Sequence, residues 1–455
     1  MTGKKIRFSP VFLIPVLFFA GLWLFGKTGI YNDSNQYIAM HIHREPLYPF
    51  LLWIFRSLLG EETSLEAVRF LQNAFAAFSV IWLTDCIRRQ FGLKNIMTLA
   101  VCLLQLAPHV ITPLFSASGL VLSNGIISEA LGLPLFYLFT AQCLKMIYEK
   151  RRGAALSALA LAVLLALTRG QMMIAILLWM AAAGVMKLAA RQYKQLGLVL
   201  LCTLLAFSCR TFLVRSYNLA FNGHFINNTF GSVGMLANVL YAADREDGER
   251  IADEKARELF YLSYDLAWEQ EANYRFAPEG FMNRAAHLEK WHDALKFDLI
   301  EEPWRDYHDR IGFKDYIPEN VESDRVAGVI MKGIFPAVFW RWLYDYLALS
   351  AYGLIRSVAV VRPLLNWYAL FLYLGTLGLA GVTFFKDRTS KAARFAAFAV
   401  LAVAANVYAT SLIIMCLSRY MIYGLPLFYI GVLLLIYENA ARVYEKRRSG
   451  LPDTE

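Results

Sequence analysis

The chain has 455 residues, of which 58% are hydrophobic. Ordinary soluble domains are roughly 45–50% apolar, so this composition excludes a soluble globular protein and indicates a polytopic membrane protein. The formal net charge is +9, but residues 244–332 contain 22 acidic and 13 basic residues, which leaves +18 on the rest of the chain. This separation is typical of basic cytosolic loops combined with one acidic outer domain, and it argues against a nucleic-acid partner.

Ten apolar segments approach the length of about 20 residues that a membrane-spanning helix requires. No small-residue cleavage site follows the first of them, so we expect a retained helix rather than a signal peptide. We predict an all-α bundle of about ten membrane-spanning helices, with a range of roughly nine to eleven, surrounded by membrane lipids. The predicted spans are residues 8–27, 65–87, 95–114, 127–148, 153–169, 171–188, 195–216, 364–385, 393–416 and 419–440.

Every second connection between these spans is basic. Cytosolic loops carry an excess of Lys and Arg, so the alternation predicts cytosolic N- and C-termini in a multi-pass protein of the plasma (inner) membrane. The six basic clusters are Lys4/Lys5/Arg7, Arg88/Arg89/Lys94, Lys150/Arg151/Arg152, Lys187/Arg191/Lys194, Lys386/Arg388/Lys391/Arg394 and Lys446/Arg447/Arg448.

The pattern divides the chain into three regions. Residues 1–216 form an N-terminal transmembrane module, and its first outer loop, residues 28–64, contains two short helices that we expect to lie along the membrane surface. Residues 217–363 form a helical insert on the outer face. Residues 364–455 contain the C-terminal transmembrane helices and a cytosolic tail.

The apolar run at residues 335–361, at the end of the insert, is long enough to span the membrane but contains Arg341, Asp345 and Arg356. A span here would place the basic cluster at residues 386–394 on the outer side. We therefore assign the run to the outer interface, as an amphipathic or partly embedded helix.

Four ionisable residues fall at the predicted outer ends of the spans: Asp33, Glu129, Arg169 and Arg419, the last followed by Tyr420. A charged residue beside hydrocarbon costs a few kcal/mol unless it is paired or faces water. Arg169 therefore requires an anion, either a carboxylate such as Glu129 or a phosphate, which a guanidinium binds with two hydrogen bonds. Asp33 alone could be a helix cap, but the convergence of four charges predicts a site.

Five segments in order carry a resemblance to a known family: TGIYNDSNQYIAM, REPLYPFLL, LSNGIISEALGLPLF, LTRGQMM and LSRYMIYGLPLFYI. Together they resemble the GT-C glycosyltransferases, and within them the family-39-like branch that includes protein O-mannosyltransferases and the lipid A aminoarabinose transferase. The resemblance implies a GT-C-like helix bundle and an inverting transfer of one sugar from a polyprenyl-phosphate donor on the non-cytosolic face. The acceptor, which is a protein, a lipid or a polysaccharide, does not follow from it.

The resemblance also implies roles for individual residues. Asp33 would be the general base and Glu129 the second catalytic acidic residue. The substrate-binding residues would be Arg169, Arg419, Tyr420, Arg44 and Tyr48. Several family members have an Asp-Glu pair at the first position, whereas this chain has Asp33-Ser34, so no role that needs adjacent carboxylates is implied.

Two histidines in the first outer loop, His41 and His43, raise the question of a divalent metal. Residues two apart do not share a helix face, so a metal would need further ligands such as Glu45 or Glu129. The alternative is a pair of polar residues at the membrane interface. No cofactor is otherwise indicated.

Other functions are compatible with the sequence. A transporter or flippase of lipid-linked sugar would place substrate-binding groups near the membrane midplane, often within inverted repeats, and neither feature is present in the sequence. A polysaccharide polymerase or ligase would use a diphosphate-linked chain. A structural scaffold leaves the cluster of outer charges without a purpose.

Overall fold

The computed structural model describes residues 9–115, 118–312 and 315–449. Regular structure in these ranges is helical, and they contain no β-strand. The helices of the first half are α1 (Leu13–Phe25), α2 (Ser34–Ile38), α3 (Leu47–Phe91), α4 (Asn95–Phe115), α5 (Glu129–Glu149), α6 (Arg152–Thr168), α7 (Ile174–Ala189) and α8 (Tyr193–Asn222). Those of the second half are α9 (Gly231–Tyr241), α10 (Glu254–Glu269), α11 (Phe281–Lys296), α12 (Glu302–Arg310), α13 (Tyr316–Arg356), α14 (Pro363–Lys386), α15 (Lys391–Ser411), α16 (Ser418–Met421) and α17 (Gly424–Ser449).

Nine helices in the described ranges are long and apolar enough to cross a membrane, so the chain is an all-α, multi-pass membrane protein. They are α3, α4, α5, α7 with the 3-10 turn before it, α8, α13, α14, α15 and α17. Two predicted spans are shorter than this: Pro10–Phe25, which contains α1, and α6, which has 17 residues. The sequence-based count of ten included these two helices and left out α13.

The helix α3 contains both the predicted surface helix that ends at Gly60 and the predicted span at residues 65–87. The two parts are separated by a bend at Gly60, where φ is 76° and ψ is 175°. Glycine adopts this positive φ without the steric cost that a side chain would add. The bend therefore allows a short apolar helix at the surface to continue into a membrane-spanning one.

Several predicted basic connections meet at one end of the bundle, which is called the basic end below. Lys391 Nζ donates to the Gln90 carbonyl (2.9 Å), and Tyr148 Oη donates to the Lys391 carbonyl (2.8 Å). The ends of α14 and α17 join there through an ion pair between Asp387 and Arg442. The cluster at Lys4, Lys5 and Arg7 lies outside the described residues. The opposite end of the bundle is called the site end.

The chain between α8 and α13 forms an insert domain with its own hydrophobic core. Its helices α9, α10 and α11 pack against α13, and Phe260, Trp304 and Ile330 are among the core residues. Trp304 is fully buried, and its Nε1 donates to Ser263 Oγ (2.9 Å). Because α8 continues to Asn222, the insert domain begins several residues after the predicted boundary at residue 217.

The helix α13 covers most of the run that was assigned to the membrane interface. Its length and hydropathy would also permit it to cross a membrane. Its contacts with the bundle lie at the site end, since Ser350 Oγ bonds Ser411 Oγ (3.1 Å) at the last residue of α15, and Arg356 donates to the Cys416 carbonyl (3.0 Å). Just beyond α13, the Val358 carbonyl accepts a hydrogen bond from Tyr429, near the start of α17. These contacts favour a position beside the site end over a full crossing.

Candidate active site

The loop that carries Asp33 is fixed to the segment that leads into α5. Gly29 N donates to the Asn124 carbonyl, and Ile126 N donates to the Gly29 carbonyl, both at 2.9 Å. Ser34 Oγ donates to the Ile126 carbonyl (2.8 Å). These bonds hold the backbone next to Asp33 against the backbone that precedes Glu129.

Buried polar side chains of α3 position the same segment. Gln72 Nε2 donates to the carbonyls of Ser123 (3.0 Å) and Gly125 (3.1 Å), and Asn73 Nδ2 donates to Asn124 Oδ1 (2.8 Å). Both α3 amides are 2% exposed. A buried amide is costly unless it is hydrogen-bonded, so these bonds specify where the segment lies on α3.

The side chains that the sequence placed at one end of the spans form a single charged cluster. Arg169 pairs with Glu129 (2.6 Å), and Arg44 pairs with Asp33 (2.7 Å). Arg419 links the two pairs, with 3.1 Å to Asp33 and 4.0 Å to Glu129. The structure thus joins all four predicted ionisable residues, and Arg44, through contacts of 4.0 Å or less.

The cluster has a buried side and an open side. The Glu129 side chain is 1% exposed, whereas those of Asp33 and Arg419 are 22% and 30% exposed. Burial raises the pKa of Asp33, but the nearby Arg44 and Arg419 guanidiniums lower it by more, so the pKa lies below its ordinary value. Asp33 is therefore ionised at physiological pH and lies on the open side.

Aromatic rings support the guanidiniums. The Tyr420 ring lies 4.9 Å from the Arg169 guanidinium and 4.8 Å from that of Arg419, and its hydroxyl accepts a hydrogen bond from Arg419 (2.8 Å). The Tyr37 ring lies 4.9 Å from the Arg44 guanidinium. Cations bind aromatic faces most strongly where water is excluded, so the rings help to fix each arginine.

Sequence reasoning missed Tyr37 and Ser128. The Tyr37 hydroxyl bonds Ser128 Oγ (2.8 Å), and Ser128 Oγ also accepts from Arg169 (3.1 Å). These bonds connect the Asp33 side of the cluster to the Glu129 side. Tyr37 and Ser128 each lie within four residues of a predicted acidic residue, Asp33 or Glu129. This proximity in the chain was the signal that could have identified them.

Tyr48 does not lie where a substrate-binding residue should. It is fully buried, its hydroxyl donates to Gln72 Oε1 (2.6 Å), and its ring packs edge-on against Tyr37 at 5.2 Å. A substrate cannot contact Tyr48 in this arrangement. The expectation that Tyr48 binds substrate is therefore wrong, and Tyr48 instead packs against Tyr37 in the protein interior.

The structure does not assemble the metal site considered for His41 and His43. Both ring nitrogens of His43 bond hydroxyls, Nε2 with Tyr316 (2.7 Å) and Nδ1 with Thr229 (2.7 Å). Burial, together with nearby positive charge, lowers the pKa of His43 to about 2. Glu45 pairs with Arg210 instead. Across the described parts of the chain, no group of three His, Cys, Asp or Glu residues could hold a metal ion.

The donor set of the cluster suits an anion better than a cation. It contains three guanidiniums and two carboxylates, so one positive charge remains when all are ionised. Guanidiniums bind phosphate in the same two-bond geometry that they use for carboxylate. An ionised carboxylate beside them can accept a proton from a bound hydroxyl group.

Comparison of the chain with protein-family models, with curated proteins and with solved structures gave no match in any of the three.

Proposed function

We propose that this protein is a GT-C-type membrane glycosyltransferase that moves one sugar from a polyprenyl-phosphate donor to an acceptor hydroxyl, with inversion at the anomeric carbon. One observation carries the proposal: the Asp33 carboxylate is shared by Arg44 and Arg419 on the open side of a charged cluster at one end of an apolar helix bundle. The cluster combines a proton acceptor with phosphate-binding cations, and the surrounding lipid accommodates the polyprenyl tail.

In the proposed reaction, the donor phosphate replaces the Asp33 carboxylate as the partner of Arg44 and Arg419. Asp33 accepts the proton of the acceptor hydroxyl, and the oxygen forms a bond to the anomeric carbon. The bond from that carbon to the phosphate oxygen breaks on the opposite face, and its electron pair stays on the phosphate. The guanidiniums stabilise the charge that develops there.

The binding step also prepares the base. In the structure, two guanidiniums hold the pKa of Asp33 below its ordinary value, which makes the carboxylate a weak proton acceptor. When these cations turn to the donor phosphate, their effect on Asp33 diminishes and its pKa rises. The base therefore gains strength as the donor binds.

The distribution of charge supports one side of the membrane for the proposed reaction. The basic end of the bundle would face the cytosol, since cytosolic loops are rich in Lys and Arg. The cluster at the site end would then face the outside of the plasma (inner) membrane, and the acceptor would be bound on that side. The two chain termini would be cytosolic.

The test compares Asp33→Asn with Asp265→Asn in the purified full-length protein. Asp265 pairs with Arg245 in the insert domain (2.8 Å), so the control removes the same charge and one ion pair away from the cluster. Whole-membrane extracts supply both the donor and the compounds that carry acceptor hydroxyls, and mass spectrometry detects a product heavier by one sugar. We expect transfer to be lost in Asp33→Asn and retained in the control. Undiminished transfer by well-folded Asp33→Asn removes Asp33 as the base.

A transporter or flippase of lipid-linked sugar has less support. Transporters bind substrate near the membrane midplane, whereas this cluster lies at one end of α5, α6 and α17: Glu129 begins α5 and Arg169 follows α6 directly. Movement of lipid-linked sugar across vesicles, with no covalent change, would favour the transporter. A product longer by many sugar units would instead indicate a polymerase or ligase.

A further inference from the structure

A groove lies between α14 and α15 at the basic end of the bundle, opposite to the charged cluster. It has a volume of about 300 Å³ and is formed by the last turns of α14 and the first turns of α15. Its lining includes Leu377, Gly381 and Phe384 from α14, and Ala393, Arg394 and Ala397 from α15. The glycine and the two alanines leave a space that larger side chains would fill.

The interior of the groove suits a hydrocarbon chain. Thr376 lines it farthest from the end of α14, and its hydroxyl donates to the Leu372 carbonyl (2.7 Å), so it leaves no unsatisfied polar group there. The distance along the helix from Thr376 to Phe384 is about 12 Å, at 1.5 Å per residue. Leu377 and Ala397 are exposed, so the groove opens towards the surrounding lipid. A chain from a neighbouring lipid can therefore enter from the side.

Two arginines lie at the end of the groove where the two helices are joined. Arg394 lines the groove, and its Nη2 donates to the Arg388 carbonyl (2.7 Å). The Arg388 guanidinium lies 5.3 Å from the ring centre of Phe384, which also lines the groove. Both arginine side chains are exposed, and such long cationic side chains near helix ends extend into the polar headgroup region.

The acidic residues of this region bind elsewhere. Among the described residues, neither Arg388 nor Arg394 makes an ion pair, whereas Asp387, between the two helices, and Glu438, on α17, both pair with Arg442. Residues 386–394 contain four basic residues and one acidic residue. The two guanidiniums can therefore bind an anion without breaking an existing ion pair.

We propose that this groove binds one acyl chain of an anionic phospholipid, whose headgroup phosphate contacts Arg388 and Arg394. A guanidinium binds phosphate with two hydrogen bonds, and basic pockets between transmembrane helices bind anionic headgroups. A zwitterionic phospholipid has the same chains, but its ammonium group cancels the net negative charge that the arginines attract. A soluble anion has no chain to fill the apolar space. The site is independent of the proposed sugar transfer.

The experiment uses phosphatidylglycerol with a photoreactive diazirine in one acyl chain, added to the purified full-length protein in detergent. After irradiation, mass spectrometry of peptides locates the label, and unlabelled phosphatidylglycerol or phosphatidylcholine competes with the probe. Gly381→Leu fills the groove, and the space is open because an added Cβ meets no atom within 4 Å. Its control is Gly375→Leu, which is equally open on the same helix but does not line the groove.

The headgroup contacts are tested with Arg388→Gln and Arg394→Gln. Their control is Arg152→Gln, which removes the same charge from an exposed residue at the start of α6, also at the basic end. Circular dichroism checks that each variant is folded. The two test variants are independent of each other, so a folding defect in one leaves the other as a test.

We expect the label within residues 376–400, with phosphatidylglycerol competing at a roughly twentyfold lower concentration than phosphatidylcholine. Each arginine variant should weaken binding about fivefold, the contribution of one basic residue near an anionic lipid. Gly381→Leu should abolish labelling, and both controls should match the unmodified protein. Equal competition by the two lipids, or unchanged labelling in Gly381→Leu, overturns the proposal. So does a dimer of the chain that forms through the groove and is lost in Gly381→Leu, since a second copy would then occupy it.

Discussion

The ion pair between Glu129 and Arg169 gives a quantitative prediction. The Glu129 side chain is 1% exposed, that of Arg169 is 14% exposed, and their closest atoms are 2.6 Å apart. Glu129→Gln preserves the shape of the side chain but leaves the Arg169 guanidinium without its closest counter-charge. Removing one partner of a buried ion pair costs about 3–5 kcal/mol, because a buried charge loses its compensation. We expect a loss of unfolding free energy near the lower end of this range, since the glutamine oxygen still accepts a hydrogen bond.

The assay is a double-mutant cycle in detergent, with unfolding by a denaturing detergent followed by circular dichroism. Its members are Glu129→Gln, Arg169→Met and the double variant, and Glu62→Gln is the control. Glu62 is exposed, so its substitution should change the unfolding free energy by less than about 0.5 kcal/mol. If Glu129 and Arg169 form a buried pair, the double variant loses less unfolding free energy than the two single variants lose in total. Additive costs would refute the assignment of a buried, mutually dependent pair.

Two further predictions concern the open side of the cluster and the loop beneath it. Arg44→Gln removes a cation that lowers the pKa of Asp33, so the acidic limb of the pH–rate profile for sugar transfer should move to higher pH. An unchanged acidic limb would show that Asp33 is not the group whose titration limits the rate. Gly125→Ala would place a Cβ 2.9 Å from the Tyr31 ring and should cost about 1–3 kcal/mol of unfolding free energy. The control is Gly21→Ala, whose added Cβ has no atom within 4 Å and which should cost nothing in the same unfolding assay. Equal losses for the two variants would contradict the packing argument.

The membrane-spanning helices could be predicted from the sequence because lipid imposes a minimum apolar length. Hydropathy found the helices themselves, but it did not determine where they end. It placed a boundary near residue 216, whereas α8 continues to Asn222. It also separated a surface helix from a span within α3, which a bend at Gly60 joins. Such ends depend on single glycines and on contacts with distant segments, which a local window of sequence does not contain.

The convergence of the charged residues was predictable for a different reason. Helices that alternate in direction bring every second connection to the same end, so Asp33, Glu129, Arg169 and Arg419 had to share one end of the bundle. The partners within that end could not be assigned. The sequence left Arg169 with either a carboxylate or a phosphate, and the structure pairs it with Glu129.

The errors arose where a short segment folds against distant residues. Tyr48 lies in a motif that suggested substrate binding, but its hydroxyl donates a hydrogen bond to Gln72, farther along α3, in the protein interior. For His43 the sequence left a metal ligand and an interfacial polar residue open, and in the structure Thr229 and Tyr316 from the insert bond both of its ring nitrogens. These partners lie tens to hundreds of residues away, so no spacing rule could identify them.

The main-chain bonds between Gly29 and the segment from Asn124 to Ile126 have a consequence for selectivity. They join the backbone next to Asp33 to the backbone that precedes Glu129, so the spacing between the two carboxylates is set by the backbone without a ligand. The arginines, by contrast, come from three separate stretches of chain and reach the cluster through long side chains. In the proposed reaction, a donor would therefore meet two carboxylates whose separation the backbone determines, while the arginine side chains change partners around it.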